Sequence, residues 1–506
     1  MNLSEIEKIE ALVLKATISY LRDLNPNISE TSLDFLCAPW VHFFTHSAIH
    51  KYESFISSNQ TAIPVRNDFT HNNNSHIPGD TLAFMEYSRT MEYSQYLERS
   101  LLGVHETIKC RSNTWVLVDK FPKTTETIAY MSCLPRYARY MITLASFGRV
   151  RFWENKPISI VVSTNWEWRY YLAKIIRSNL EHEFLYLSQW LAQRMLELFP
   201  KSLLEYLPSN LKNKNSSHPR KILFSANGWG IIDDWKVYAV IQRGDSKAKL
   251  IGSPHSVNYG WLLNFWQRDF EIHHLDRYLT WGWKMQSPSN LIPFSAPQFL
   301  GASRKLNLIK PLRSGVLIST AARPMHLLEY PYTPAKFKIY LNTQMQLANQ
   351  VQRLTNDKVA IRTRPHDLGW NLTEMVRSIK NNHVAIEYQA GKFKNRLLKS
   401  RLHICDNCST TIIESFIFNH PTLILLVPDY FEISTHAQIE TQRLIDAGIL
   451  HNTIDSLLEK LKNVNSQIDD WWNEKGTQNA ISTFLDCQGR SDATFADWIR
   501  ELRRYS

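Results

Sequence analysis

The chain has 506 residues, with 58 Lys and Arg against 47 Asp and Glu, a formal net charge of +11 and a pI near 9.2. Single cores rarely grow past roughly 250–300 residues, so the length excludes a one-domain protein; 44% hydrophobic and 21% charged residues exclude a disordered chain, and six scattered cysteines exclude a disulfide scaffold. The basic residues are spread with no dominating Lys/Arg block, so no nucleic-acid partner is expected.

The opening segment, MNLSEIEKIEALVLKATISYL, carries acidic residues at helical spacing and lacks the basic start, apolar run and cleavage site of a signal peptide. No stretch reaches the ~18–20 apolar residues that span a bilayer. A cytoplasmic location is expected, with peripheral contact at the inner membrane left open.

Residues 1–110 read as mainly helical, with Leu33, Leu36, Trp40, Phe43 and Phe44 on one stripe. The polar run 67–80 predicts a surface loop. From 115 the texture changes to short apolar runs followed by helix-like sequence: strands are expected at 115–119, 158–163, 221–228, 249–255 and 277–283. A Pro- and Ser-rich connector spans 286–315, and a second series of strands is expected at 315–320, 358–365, 402–406 and 421–427. This alternation predicts an α/β fold with two parallel sheets, whose ligands gather at the carboxyl ends of the strands.

The stretch LHICDNCSTTIIESFIFNHPTLILLV (402–427) holds Cys405 and Cys408 at zinc-ligand spacing. No second cysteine pair or nearby His pair completes a site, so no metal is expected. The same turn reads as a strand leading into a helix, with Ser409 or Thr410 at the N-cap. There the first-turn N–H groups, the helix dipole and the hydroxyls of Ser409, Thr410 and Thr411 suit a phosphate. Glu414, about one turn in, suits ribose hydroxyls; the competing reading is that Ser409 and Thr410 only cap the helix.

KVAIRTRPHDLGW delivers Arg362, Arg364 and His366 to a strand end, where arginine forks onto phosphate or carboxylate; a surface pair of Arg with Asp367 is the alternative. IGSPHSVNYGW carries His255, Asn258 and Tyr259, with His255 a candidate base or hydrogen-bond donor. SANGWGIIDDWK carries Asn227, Asp233 and Asp234; one aspartate is expected to serve the helix start, and the other is open as a base. Arg323, in STAARPM, is a candidate clamp on an anionic donor. The chain has no P-loop, dinucleotide fingerprint, nucleophile elbow or H-E-x-x-H.

CAPWVHFFTHSAIHKYES, SPHSVNYGW, DRYLTWGW, RTRPHDLGW, STTIIESFIFNHPTLIL and AGILHNTIDSL with DDWWNEKGTQNAISTF, in that order between about 30 and 487, resemble a family of bacterial surface-polysaccharide transferases associated with nonulosonic acid loci. The chain thereby looks like a pseudaminic or legionaminic acid transferase, and distantly like the capsule Kdo transferases and the CDP-glycerol glycerophosphotransferases. It departs from them at Ser256 and Val257, which stand where relatives carry small glycines. The resemblance implies a GT-B-like α/β fold, two Rossmann-like domains facing across a cleft with a helical N-terminal region and a C-terminal helical segment. An acceptor-side domain would span 1–300 (helical 1–110, Rossmann-like 111–300), a nucleotide-sugar domain 301–475 and a helical tail 476–506.

It also implies a CMP-activated nonulosonic acid as donor, a glycan or lipid-linked glycan as acceptor in capsule or O-antigen synthesis, no cofactor and no metal, with retention of configuration favoured by family analogy. The 409–414 turn would hold nucleotide phosphate and ribose, and Arg323, Arg362, Arg364 and His366 the donor charge. Asn227, Asn258 and Tyr259 would line the donor, and His255 with Asp233 or Asp234 the reaction centre. Competing readings are a Kdo, hexose or glycerophosphate transferase of the same fold and a non-catalytic polysaccharide assembly protein.

Overall fold

The computed structural model describes residues 3–57, 69, 75–102, 104, 107–154, 156–182, 184–214, 218–302, 314–320, 334–363, 384–388 and 392–505. Two six-stranded parallel sheets organise them. The first joins β1 (Thr127–Tyr130), β2 (Val150–Trp153), β3 (Ile222–Ser225), β4 (Lys249–Gly252), β5 (Arg277–Thr280) and β6 (Leu291–Pro293) in the order β2-β1-β3-β4-β5-β6. The second joins β7 (Val316–Ser319), β8 (Val359–Thr363), β9 (Val384–Tyr388), β10 (Leu402–Cys405), β11 (Thr422–Leu425) and β12 (Leu450–His451) in the Rossmann order β9-β8-β7-β10-β11-β12.

The central strands are buried along their whole length, as parallel strands covered on both faces must be. Strand order reverses between β1 and β3 in one sheet and between β7 and β10 in the other. Ligand crevices are therefore expected beyond those strand ends. The two Rossmann-like units, with helices before and after them, form the GT-B arrangement.

Two expected strands lie elsewhere. Thr114–Val116 and Ile158–Ile160 form a separate antiparallel ladder, and the sheet instead takes TIAY and VRFW as β1 and β2. Ile158 and Ser159 are exposed, whereas Thr127, Ile128 and Ala129 are all buried. β-branched content marks a segment that fits a pleated surface, not one covered on both sides.

The helices Leu3–Leu24, Glu30–Ser57, Thr81–Ser88 and Met91–Leu101 build a second core together with Trp166–Leu180 and Leu185–Leu198. Leu33, Leu36, Trp40 and Phe44 are buried there, and Phe43 packs at its edge. Half of the 67–80 loop lies outside the described residues. Its end is an anchor: Asp80 caps the Thr81–Ser88 helix through Ala83 N (2.8 Å) and pairs with Arg111 (2.8 Å).

After the second sheet the chain returns to the first. Arg490 N donates to Trp281 O (3.0 Å), and the Phe495–Leu502 helix docks against the first sheet. Trp498 is fully buried there, its ring 5.8 Å from Phe224 and 5.0 Å from Phe294 in edge-on contacts, while Thr127 Oγ1 donates to Leu502 O (2.6 Å). Trp498→Ala should destabilise the protein by roughly 3–5 kcal/mol through lost burial and a residual cavity, read as a fall in the denaturation midpoint.

Candidate functional site

At the reversal point of the second sheet, the carboxyl ends of β7 and β10 hold a run of polar side chains. Ser409 is the N-cap of the Thr410–Ile417 helix, with extended backbone, but its hydroxyl does not cap the first turn. It lies 2.5 Å from Thr411 Oγ1, which stands 3.5 Å from Ser319 Oγ at the end of β7. The helix start thus gathers two hydroxyls of its own and one from the end of β7, a geometry suited to an anion.

His403, buried within β10, orders this array. Its Nε2 is 2.7 Å from Ser319 Oγ and its Nδ1 2.9 Å from Ser415 Oγ. Burial, then the neighbouring His420, holds its pKa well below that of free imidazole, so the ring is neutral and serves as one donor and one acceptor. Asp406 follows the strand. Burial lifts its pKa to about 7 against hydrogen bonds from Asn407, Thr320 and Tyr340, so it titrates near neutrality. Asn407 Nδ2 closes the crevice by donating to Ser319 O (3.2 Å).

One turn on, Glu414 is half-buried. Burial raises its pKa to about 6, opposed by the charges of Arg362 and Lys394. Arg362 leaves β8 over the Phe393 ring (5.9 Å) and Lys394 lies over Phe418 (4.5 Å). Ser409 and Thr411 thus share the helix start, with Thr410 at the first helical position and Glu414 one turn on, close enough to Arg362 to feel its charge. Arg323, Arg364 and His366 lie outside the described residues.

The cysteines of this turn are buried free thiols, and Cys405 Sγ donates to Asn407 O (3.2 Å). Among the described residues, His and carboxylate groups at metal-ligand distances are Glu10–His42–His46 and Asp34–His273–His274, neither of which includes this turn.

In the first domain, β4 runs into the loop bearing His255, Asn258 and Tyr259. Tyr259 OH is 3.0 Å from His255 Nδ1; Tyr259 and Asn258 are buried and His255 half-buried. The loop reaches the second domain directly: Trp261 Nε1 donates to Thr441 Oγ1 (2.9 Å), and Leu263 N to Glu432 O (2.9 Å). Asn227 follows β3 in a tight turn, where Gly228 N donates to Ser225 Oγ (2.8 Å).

Asp233 and Asp234 do not fit the expected base. Both are buried in the first turn of the Asp233–Ser246 helix and are held by other segments. Asp233 Oδ2 accepts from Thr81 N (2.8 Å) and Ser202 Oγ (2.5 Å), and its carboxylate pairs with Lys236 (3.4 Å). Asp234 accepts from Leu117 N (2.5 Å) and Asn210 Nδ2 (2.8 Å). These are anchors that satisfy buried donors of neighbouring segments.

Sequence reasoning missed Ser319 and His403, and it also missed Glu271, on the Trp266–His274 helix. This carboxyl is fully buried; burial pushes its pKa up to about 8 against hydrogen bonds with Gln267, Tyr278 and Tyr259, so it stands behind the Tyr259–His255 pair. A histidine inside an apolar strand (LHIC) and a glutamate amid aromatics (DFEIHH) were the available signals.

The family model described as LIC12162 family transferase matches residues 34–504. No curated protein matches the chain. Among solved structures, a spinosyn rhamnosyltransferase complexed with spinosyn aglycone is 13% identical over 75% of this chain and 100% of its own, with a TM-score of 0.36. An O-GlcNAc transferase mutant of Thermobaculum terrenum is 11% identical over 98% of each chain, with a TM-score of 0.39. A UDP-N-acetylglucosamine 2-epimerase from Rickettsia bellii is 11% identical over 71% of this chain and 95% of its own, with a TM-score of 0.35.

Two outcomes test these assignments. Asp233→Ala, which leaves Lys236 buried without its partner, should cost roughly 3–5 kcal/mol in denaturant unfolding, as an anchor does. For Glu271 the folded pKa of about 8 exceeds the ordinary 4.5. Its stabilising share is therefore full below pH 4.5 and lost as pH rises through 8, on the order of 1.4 kcal/mol per pH unit crossed. Unfolding curves of the protein and of Glu271→Gln across that window should diverge accordingly.

Proposed function

This chain belongs to the LIC12162 family of transferases, and we propose that it is a glycosyltransferase moving a nonulosonic acid from a CMP-activated donor to a glycan acceptor in capsule or O-antigen synthesis. The observation that carries the reading is the crevice between β7 and β10. There the hydroxyls of Ser319, Ser409 and Thr411 stand over a helix start that Ser409 does not cap, with Glu414 one turn on and Arg362 and Lys394 beside it. Such a crevice suits the phosphate and ribose of a nucleotide.

A CMP-nonulosonate carries two anions, the phosphate and the sugar carboxylate. Arg362 and Lys394 supply two cations near the turn, and the helix dipole adds to them. The reacting carbon develops oxocarbenium character, so departure of CMP is the step that gains most from fixed positive charge. In this reading transfer proceeds without a metal and with retention, the Ser409–Glu414 turn and Arg362 holding the leaving group. With both aspartates engaged as anchors, His255, oriented by Tyr259, is the group on the acceptor side that can take a proton from the attacking hydroxyl.

Thermal melting with CMP, UDP, GDP and CDP-glycerol tests the donor class. A ligand at about 100 times its Kd adds ~2.7 kcal/mol of stability. CMP should raise the melting temperature, and Arg362→Ala and Thr411→Val should each weaken that shift, Arg362→Ala by roughly tenfold or more in Kd. A response to UDP or GDP alone moves the assignment to a hexose transferase, and no response to any nucleotide moves it to an assembly protein.

A further inference from the structure

The Arg136–Ala145 helix, which follows β1, inverts the usual amphipathic pattern. Only Ala138 and Ile142 are buried, packed in the core that includes Trp498 and Leu502. Four further apolar or aromatic side chains face outward: Tyr137 (52% exposed), Tyr140 (51%), Met141 (50%) and Leu144 (72%), at the i, i+3, i+4, i+7 spacing of a single stripe. The stripe runs on to Phe147, which is 91% exposed at the tip of the following turn, its φ of 52° in the left-handed region that aromatic residues rarely adopt. Water gains nothing from this arrangement, and a contiguous apolar stripe at a surface marks a contact.

The charges around the stripe identify the contact. Residues 127–151 contain Arg136, Arg139, Arg149 and Arg151 and no acidic residue. Arg139 pairs with Glu154 (2.8 Å) and Arg151 Nε donates to Gly148 O (3.3 Å), while Arg136 and Arg149 are exposed at the two ends of the stripe. Across the packed C-terminal helix, the Arg500 side chain is exposed as well, paired with Asp497 (3.2 Å). A second copy of this chain would bring arginines against arginines. Tyrosines, an aliphatic ridge, a protruding phenylalanine and flanking arginines together match the boundary between anionic headgroups and acyl chains.

We propose that the Arg136–Ala145 helix and the Phe147 turn dock the protein on an anionic lipid bilayer, with Met141, Leu144 and Phe147 entering the acyl boundary. No described helix is long and apolar enough to cross a membrane, so the contact is peripheral. The helix starts at the carboxyl edge of the first sheet, and Tyr137 OH donates to Leu300 O (2.5 Å) at the connector between the domains. Docking there holds the connector between the domains close to the lipid surface, where a lipid-linked acceptor would be presented. The surface chemistry stands independently of the donor assignment, and the test uses no nucleotide.

The test is sedimentation of the full chain with phosphatidylcholine vesicles, with and without phosphatidylglycerol. The protein should pellet with the anionic vesicles, less so as salt rises. Leu144→Glu/Phe147→Glu should lower partitioning by about tenfold or more, and Arg136→Glu/Arg149→Glu should abolish the preference for the anionic lipid. Both variants alter exposed side chains and should melt as the parent does. The proposal is overturned if the parent stays in the supernatant with anionic vesicles or the Leu144/Phe147 variant pellets equally. It is overturned likewise if light scattering shows a dimer that this variant dissociates.

Discussion

Two carboxylates at the head of one helix hold the first half of the molecule together. Asp233 draws in Thr81 and Ser202, and Asp234 draws in Leu117 and Asn210, so residues of three segments distant in sequence meet at the head of this helix. Lys236, also buried, reaches Leu36 O (2.6 Å) and ties in the Glu30–Ser57 helix. Burying these charges is costly unless each is paired and hydrogen-bonded, so the node tolerates a single arrangement of its neighbours. The N-terminal helices are thereby fixed parts of the first domain, and the loops beyond β3 and β4 rest on a firm support.

The second domain solves a different problem, presenting polar groups at the edge of an apolar sheet without leaving them unpaired. His403 does this by standing neutral between Ser319 and Ser415, which fixes the direction of one hydroxyl at the end of β7 and one on the following helix. Thr411 shares the array through its side chain while its carbonyl accepts from Ser415 Oγ (2.8 Å). The hydroxyls are therefore held in fixed directions, an arrangement that would need little rearrangement to meet an anion. Asp406, its pKa lifted to about 7, is close to half protonated at neutral pH, whereas Glu414, at about 6, stays mostly ionised beside Arg362 and Lys394.

Much of this was legible in the sequence, for physical reasons that differ from part to part. Strands such as ILFS and TLIL are mostly apolar because helices cover them on both faces, and the turn after LHICD announces itself by a cluster of hydroxyls before an apolar helix. TIAY was not legible, because four residues with one β-branched apolar side chain resemble any loop edge; its place in the sheet is set by tertiary burial. Asp233 and Asp234 misled because sequence gives the polarity of a residue and not its partners. Thr81, Leu117, Ser202 and Asn210 meet them only after folding. Glu271 was silent for the same reason, its environment being made by Tyr259 and Tyr278 from other elements.

The net charge illustrates how folding changes the meaning of composition. Several arginines are buried and matched by carboxylates: Arg169 with Glu205, Arg194 with Glu197 and Arg220 with Asp119. Each such pair is close to neutral as seen from solvent, so the excess of +11 belongs to the remaining, mainly exposed residues. Spread evenly along the sequence, those charges suggest no partner. The fold sorts them into distinct surroundings, with Arg362 and Lys394 near an anion-suited crevice and Arg136 and Arg149 beside an outward-facing apolar stripe. A positive charge acquires a function from the dielectric and the neighbours it is given, and both are fixed by which helix faces its sheet and which faces away.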